Sequence, residues 1–162
     1  MAMLMVVTAA SAQNSPKYGH MNLGNLLEQL PDTKVANDKL KVFADQLTAK
    51  DDSLTKAFEA AYRQLETEYN AGQLTPVVAQ TRQAELQKQQ EFIQKFEQDA
   101  QAMVGAKREE MLKPILTKVE DAIKTVAKEM GYAMVFDTSS GSMLFANDTD
   151  DITALVKKKL GL

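Results

Sequence analysis

Two long stretches of the chain repeat apolar residues at helical spacing. In the first, apolar positions from Leu40 to Tyr69 are separated by steps of 3, 4, 7, 4, 3, 4 and 4 residues. Steps of three and four place these side chains on one face of a helix. Neither Pro nor Gly interrupts positions 34–69. We therefore predict a helix over these residues, which at 1.5 Å per residue is about 54 Å long.

The second helical pattern follows a short break at residues 70–76. Gly72 is suited to the C-terminal end of one helix, and Thr75 followed by Pro76 is suited to the start of the next. Apolar residues then recur at helical spacing over 77–130. The simplest packing of two such helices is an antiparallel hairpin whose tip lies at the break.

Shorter elements flank this hairpin on both sides. Alternating apolar residues predict strands over 18–23, 132–137 and 143–147, and Gly131 ends the returning helix before the second strand. A single sheet that includes these strands requires the two ends of the chain to meet. We therefore predict an α+β fold, predominantly α, with a long antiparallel helical hairpin inserted in a small β body.

Prolines set further helix boundaries. A short helix over 25–30 is stopped by Pro31, and Asp32 or Thr33 is the predicted N-cap of the first long helix. Pro114 removes one backbone hydrogen bond from the returning helix and is expected to kink or restart it. This position is either the place where the hairpin meets the body or a tolerated kink without consequence.

Candidate chemistry is sparse. His20 is the single histidine, so we expect a structural role instead of a metal site or a catalytic triad. The acidic run 147–151 lacks the central Gly and closing Glu of a calcium loop, and capping of a last helix over 152–160 explains it. Glutamates such as Glu66 and Glu68 lie on solvated helix faces. We predict no catalytic residue, no metal, no cofactor and no enzymatic activity.

Composition and charge narrow the class of partner. Cysteine is absent, which excludes disulfides and thiolate chemistry. The net charge of −3 gives no general attraction to nucleic acid or to an anionic membrane surface. After the first residues, no run approaches the roughly 18 apolar residues of a membrane span. We expect neither nucleic-acid binding nor stable membrane insertion.

The N-terminus has features of an export signal. It is apolar, and Ala10-Ser11-Ala12 matches the A-x-A pattern that precedes a signal-peptidase cut, with Gln13 as the mature start. No Lys or Arg precedes Lys17, so the basic region of such a signal is missing. An apolar strand or a disordered start is the alternative. We predict residues 1–12 as a signal-peptide remnant and the protein as exported.

Two segments resemble a known chaperone family. They are IKTVAKEMGYAMVFD at 123–137 and DDITALVKK at 150–158, with Asn147-Asp148 between them at the junction of strand and helix. With these segments in this order, nearly the whole mature chain resembles the Skp (OmpH-type) periplasmic chaperones. The resemblance implies a homotrimer whose body is a β-barrel of strands from three subunits. Its arms enclose a cavity that holds unfolded outer-membrane proteins without nucleotide.

This resemblance assigns roles along the chain. It implies a β-rich oligomerisation body at 13–33 and 115–162, and a hairpin arm at 34–114. The strand residues expected at the oligomer contacts are Met21, Leu23, Met134, Val135, Phe136, Leu144 and Phe145. The residues hypothesised to contact clients are Phe58, Tyr62, Tyr69, Leu74, Val78 and Phe92. Burial in the hairpin seam is the alternative for each of these six, and is preferred for Phe58 and Tyr69.

Charge is where the chain departs from the family. The best-known members have strongly basic arms, whereas residues 34–114 here carry 12 Lys and Arg against 13 Asp and Glu. We therefore carry over no lipopolysaccharide site, and expect clients to be held by shape and weak apolar contact. Residues 80–101 include eight glutamines among 22 residues, which form either a neutral soluble face or a weakly charged inner wall.

Two other functions fit a helical hairpin. A structural or scaffolding coiled coil of the cell envelope would need a rigid, continuous heptad seam and a specific docking patch. The breaks in the period argue against that reading. A peripheral binder of the envelope surface would need a basic amphipathic face, which the sequence lacks.

Overall fold

The computed structural model describes residues 16–162, so the predicted signal peptide lies outside the described residues. This part of the chain is mostly helical, with a small sheet, as the sequence predicts. In chain order the elements are β1 (Lys17–Met21), α1 (Leu23–Gln29), α2 (Pro31–Asn70), α3 (Pro76–Met130), β2 (Tyr132–Asp137), a 3-10 turn (Asp148–Asp150) and α4 (Thr153–Leu160). The helices α2 and α3 have 40 and 55 residues.

The turn between α2 and α3 lies at residues 71–75, where the sequence predicts the tip of the hairpin. Gly72 has a positive φ of 68°, which a residue with a side chain rarely adopts. Its N–H donates to the carbonyl of Tyr69, and the next N–H, of Gln73, donates to Glu68, which together form a Schellman motif. Pro76 then begins α3, and the Thr75 hydroxyl accepts a hydrogen bond from the N–H of Val78 at 3.4 Å.

The start of α2 differs from the prediction. Pro31 is the first helical residue and Leu30 is the N-cap, with no side-chain hydrogen bond, so neither Asp32 nor Thr33 caps the helix. Proline is tolerated as the first helical residue because the N–H that it lacks would have no partner within the helix at that position. Pro114 lies inside α3, which continues on both sides of it as one helix.

The sheet has two parallel strands from opposite ends of the sequence. Gly19 pairs with Val135 and Met21 with Asp137, which brings the segment after α3 beside the start of the described chain. The prediction of a third strand over 143–147 is wrong, because this segment pairs with no strand among the described residues. Its alternating apolar residues favour a strand, but a strand also needs a neighbour with free hydrogen-bonding groups.

The chain divides into two compact units, which we call the body and the arm. The body contains the described residues up to Leu27 together with Lys118–Leu162, and the arm contains Glu28–Thr117. The buried apolar residues of the body are Met21, Leu26, Val119, Ala122, Val126, Ile152 and Val156. Those of the arm are Leu30, Ala36, Leu65, Ala79, Leu86 and Ile115. Within the described residues, no helix is long and apolar enough to cross a membrane.

The last helix confirms the predicted role of the acidic run. The carboxylate of Asp151 accepts a hydrogen bond from the N–H of Thr153, the first residue of α4, at 2.7 Å. Burial opposes ionisation of Asp151, but the bonds to Thr153, together with the nearby charges of His20 and Lys157, lower its pKa. An aspartate at this position therefore stabilises the start of the helix.

Candidate functional site

A groove on the arm brings three aromatic side chains beside polar amides. It encloses a cavity of about 540 Å³ between α2 and α3, and we call it the aromatic groove. The lining residues are Phe58, Tyr62, Leu65, Glu66 and Tyr69 from α2, and Gln83, Leu86, Gln87 and Gln90 from α3. The rings of Phe58 and Tyr62 lie 6.4 Å apart between centroids and are tilted by 37°. A cavity of this size accepts one or two large side chains of a partner.

The floor of this groove is the seam between the two helices. Leu65 and Leu86 are buried there, which leaves the aromatic rings on the flank of the seam instead of inside it. Next to this seam Arg82 donates a hydrogen bond to Glu68 across the two helices. The amide of Gln64 donates to the other oxygen of the same carboxylate at 2.7 Å. The hydrogen bond from Gln64 has the largest effect on Glu68 and lowers its pKa; burial opposes ionisation, and the hydrogen bond and charge of Arg82 lower the pKa further.

The other flank of the seam has a different character. A smaller cavity of about 250 Å³ shares Leu65 and Leu86 with the aromatic groove. Its remaining lining residues are Ala61, Gln64, Arg82, Glu85 and Gln89. Further along the helices, Gln89 also lines a cavity of about 340 Å³ together with Phe92. The two flanks therefore differ in chemistry, because one carries the tyrosines with Glu66 as its single charged residue, whereas the other carries Arg82, Glu85 and Lys88.

The six residues hypothesised to contact clients are divided by this geometry. Phe58, Tyr62 and Tyr69 come together in the aromatic groove, whereas Phe92 lies on the other flank. Tyr69 is 61% exposed, so its expected burial in the seam is wrong, while Phe58 is half-buried. Leu74, which is half-buried, lies in the turn, and the exposed Val78 follows in the first turn of α3.

The eight glutamines of α3 that the sequence assigns to one neutral face or inner wall do not all lie on the same helix face. Seven of the eight glutamines between positions 80 and 101 follow each other at steps of 3, 4, 3, 4, 4 and 3 residues. This glutamine stripe consists of Gln80, Gln83, Gln87, Gln90, Gln94, Gln98 and Gln101, all of which are exposed. Such steps place side chains on one helix face over about 32 Å. The spacing was present in the sequence and would have revealed the stripe.

The body carries a second apolar surface. A cavity of about 400 Å³ is bordered by Tyr18, Met134, Phe136, Met143 and Phe145. The rings of Tyr18 and Phe136 lie 6.3 Å apart between centroids. Leu144 is fully exposed and Phe145 is 80% exposed, which is rare for such large apolar side chains in adjacent positions. We call Met134, Phe136, Leu144 and Phe145 the body patch.

The strand residues predicted at oligomer contacts fall into two groups. The four residues of the body patch are exposed, and Val135 is half-buried. Leu23 is also half-buried, but its assignment to a strand is wrong, because β1 ends at Met21 and Leu23 is the first residue of α1. Met21 is 1% exposed and belongs to the core of its own chain. Its side chain is therefore not free to contact another subunit.

Hydrogen bonds hold the segments around this patch. The Nε2 atom of His20 lies 2.9 Å from the carbonyl oxygen of Asn147, and because a carbonyl only accepts, the imidazole donates. The backbone carbonyl of His20 also accepts from Ile152. His20 thus has the structural role expected of it. Among residues 16–162, no cluster of His, Asp or Glu side chains is arranged to hold a metal ion.

Asp137 joins β2 to the first helix. Its carboxylate accepts hydrogen bonds from the N–H of Leu23 at 3.1 Å and from the N–H and hydroxyl of Ser139 at 2.9 and 2.7 Å. Burial opposes ionisation of this carboxyl, but the three hydrogen bonds outweigh it and lower the pKa. The charge of Asp137 therefore stabilises the folded body.

Comparisons with known proteins agree with this architecture. Two relatives, each named Chaperone protein Skp, come from Pectobacterium atrosepticum and Yersinia enterocolitica. They are 26% and 28% identical over 164 residues, which cover 97% and 96% of this chain and 93% of each relative. A solved structure from Caulobacter crescentus, described as an OmpH-like outer membrane chaperone, matches with a TM-score of 0.77 at 18% identity.

The extent of these matches decides the family. The structural match covers 90% of this chain and 84% of the Caulobacter chain, which shows a shared fold. The family described as Outer membrane protein (OmpH-like) matches residues 17–160, and thus nearly all of the described chain. The names of both relatives are those of chaperones and state no catalytic activity. This chain belongs to the OmpH-like outer membrane protein family.

Proposed function

We propose that the protein is an ATP-independent holding chaperone that binds unfolded outer-membrane proteins and prevents their aggregation. The observation that carries this proposal is the aromatic groove, where Tyr62 and Tyr69 are 55% and 61% exposed on the flank of the arm. Large rings outside a core that remain accessible are typical of surfaces that bind other proteins. The chaperone names of the two relatives support the same role.

Oligomerisation is the second part of the proposal. Two parallel strands are too few to form a stable sheet alone, and their free edges are prone to pair with another chain. The body patch lies beside this sheet and exposes Leu144 and Phe145. We propose that three copies cover these patches by forming a common β-barrel. The arms of the three subunits then enclose the client.

Binding through weak apolar and polar contacts fits the charges of the arm. Several charged side chains are paired within a helix, as in Lys41 with Asp45 and Lys95 with Asp99. Such exposed pairs cancel each other's charge and leave little net field to attract an acidic client. We propose a periplasmic location, where unfolded outer-membrane proteins pass, on the basis of the apolar N-terminus and the family.

One experiment tests the function directly. A urea-unfolded outer-membrane barrel protein is diluted into buffer with the purified protein and without nucleotide, while light scattering and the mass of any complex are followed. The proposal expects suppressed scattering and a soluble complex that contains three chaperone chains. Unchecked aggregation with no complex would overturn it. A scaffolding coiled coil would fail this assay but would capture a folded envelope protein.

A further inference from the structure

The glutamine stripe offers hydrogen-bonding groups that the arm itself does not use. Each amide side chain has an oxygen that accepts and a nitrogen that donates. Within the described residues only Gln87 has a side-chain partner, through a 3.3 Å contact from its nitrogen to Glu91. The amides of the other six members of the stripe have no protein partner there. These groups are therefore available to a bound molecule.

The stripe and the aromatic groove form one continuous surface. Gln83, Gln87 and Gln90 belong to the stripe and also line the groove beside Phe58 and Tyr62. The amides therefore lie next to a cavity of about 540 Å³ that accepts large apolar side chains. Polar amides beside an aromatic cavity match a ligand that presents both backbone polar groups and ring side chains.

The charge of this surface limits the ligand further. Glu66 is the single charged residue that lines the aromatic groove, and within residues 16–162 it forms no ion pair. Beside the stripe, Lys95 is neutralised by Asp99 at 3.0 Å. The surface is therefore weakly acidic, with the carboxylate of Glu66 in the groove and that of Glu91 in contact with Gln87. It fits a neutral or weakly basic segment and disfavours an acidic one.

We propose that the glutamine stripe and the aromatic groove form a track for an extended segment of unfolded polypeptide. The glutamine amides hydrogen-bond the N–H and C=O groups of the segment, and one of its aromatic side chains enters the cavity at Phe58 and Tyr62. This inference rests on the proposed holding function and specifies how the client is recognised: by its unpaired backbone, without regard to most of its sequence.

The geometry of an extended chain agrees with this occupant. Every residue of such a chain other than proline carries one donor and one acceptor that lack partners until the protein folds. The stripe spans about 32 Å, which corresponds to roughly ten residues of a strand at 3.3 Å per residue. A folded protein has already satisfied these groups internally. The track therefore distinguishes unfolded from folded clients by hydrogen bonding.

Backbone-methylated peptides test this recognition. The probe is a fluorescein-labelled, uncharged ten-residue peptide in which Tyr alternates with Thr, and its twin carries N-methyl groups at alternate residues. Fluorescence anisotropy with the full-length protein gives both Kd values. We expect the unmethylated peptide to bind about tenfold more tightly, because each net hydrogen bond contributes a few-fold in affinity.

Substitution of the amides completes the test. Methionine is close to glutamine in shape and helix propensity but lacks the amide. In Gln83→Met/Gln87→Met/Gln90→Met we expect the preference for the unmethylated peptide to fall to about twofold. The matched control is Gln89→Met, next to the stripe but on the other flank, which should keep the full preference. Circular dichroism confirms that each variant retains its helix content.

The outcomes separate this inference from the proposed function. An unchanged preference in the triple methionine variant would overturn the track, and so would equal binding of both peptides by the original protein. If in either case the protein still suppresses aggregation of the barrel protein, the holding function stands and only the track is wrong. Dissociation of the oligomer in the triple variant would instead assign the stripe to contacts between copies of the chain, and would also overturn the track.

Discussion

The side chain of Arg82 on α3 donates a hydrogen bond to Glu68 on α2, with Nη1 and Oε2 2.5 Å apart. The contact lies close to the turn that joins the two helices. Both oxygens of the carboxylate are engaged, because Gln64 donates to Oε1. The ion pair thus links α2 to α3 on the flank of the seam that carries Gln64 and Arg82, not on the flank with the aromatic groove.

Removal of this link should loosen the tip of the arm. In Arg82→Ala we expect the backbone amides of residues 67–79 to exchange with solvent roughly two- to fivefold faster, since a partly exposed ion pair contributes modestly. Hydrogen exchange followed by mass spectrometry measures this change. The control is Arg63→Ala, which breaks an exposed pair with Glu59 within α2. Equal exchange rates in both variants would show that the ion pair between the helices stabilises the tip no more than an exposed pair within one helix does.

Two glycines should respond to alanine in opposite directions. A Cβ at Gly19 would lie 3.0 Å from a methyl group of Ile152, which is fully buried, and 3.1 Å from the ring of Tyr132. Because neither neighbour has much room to move, Gly19→Ala should destabilise the body by about 1–3 kcal/mol. A Cβ at Gly105 meets nothing within 4 Å, so Gly105→Ala should stabilise α3 by about 0.5–1 kcal/mol.

Urea denaturation followed by circular dichroism measures both effects. The comparison is internally matched, because each variant adds one methyl group at a glycine. A Gly19→Ala variant as stable as the original protein would mean that β1 does not pack tightly against Ile152. A destabilising Gly105→Ala would show that another chain or segment approaches α3 at that position.

The helical hairpin was predictable because its determinants are local. Steps of three and four residues identify α2 and α3, and Gly72 with Thr75 identifies the turn through chemistry within a few residues. The start of α2 was misplaced because Pro31 can both stop one helix and start the next, and because Asp32 and Thr33 are both suitable N-caps. Pro31 follows the end of α1, as predicted, but it also starts α2 without any capping side chain.

The features that the sequence did not reveal depend on distant residues. The role of Asp137 as an acceptor for Leu23 requires that residues 114 positions apart meet at the ends of β1 and β2. The side of the seam on which Tyr69 lies depends on how α3 packs against α2. The strand predicted over 143–147 is absent because strand pairing is decided by a neighbour, which the spacing of apolar residues does not specify.

Acid should remove the contribution of Asp137 to stability. Its pKa in the folded protein is lowered from the ordinary 3.8, so its charge stabilises the fold above that value. The contribution is lost as the pH falls through the lower folded pKa. We expect Asp137→Asn to be less stable than the original protein by about 1 kcal/mol at neutral pH, through weaker acceptance from Leu23 and Ser139.

The pH dependence supplies the test of this mechanism. Urea denaturation at neutral pH and at a pH below the folded pKa should show the difference in unfolding free energy shrinking to nothing in acid. Asp148→Asn, at an exposed aspartate of the body, is the control and should match the original protein at both pH values. A difference that persists in acid would mean that Asp137 acts through shape and not through its charge.

The aromatic groove should dominate the affinity for unfolded clients. Tyr62→Ser/Tyr69→Ser removes two exposed rings from one groove, and we expect the Kd for an unfolded barrel protein to rise about ten- to thirtyfold. The matched control, Val42→Ser/Met103→Ser, removes two exposed apolar side chains of the arm outside that groove. Microscale thermophoresis in dilute urea measures both Kd values. An equal loss in the two variants would indicate diffuse binding without a preferred groove.

The body patch should control assembly. In Leu144→Ser/Phe145→Ser, two exposed apolar side chains become polar, which removes roughly 2 kcal/mol of burial from each side chain covered in an oligomer. Because every interface of a symmetric assembly is changed at once, we expect the protein to become largely monomeric at micromolar concentration while its helix content is retained. Sedimentation velocity distinguishes the two states.

The control for assembly is Met130→Ser/Leu162→Ser, which changes two exposed apolar residues of the body outside the patch. This variant should sediment like the original protein. If the patch variant also keeps its original mass, Leu144 and Phe145 are not at the subunit contacts. Loss of assembly together with loss of client holding would instead tie the holding activity to the closed oligomer, because an isolated arm contacts the client from one side only.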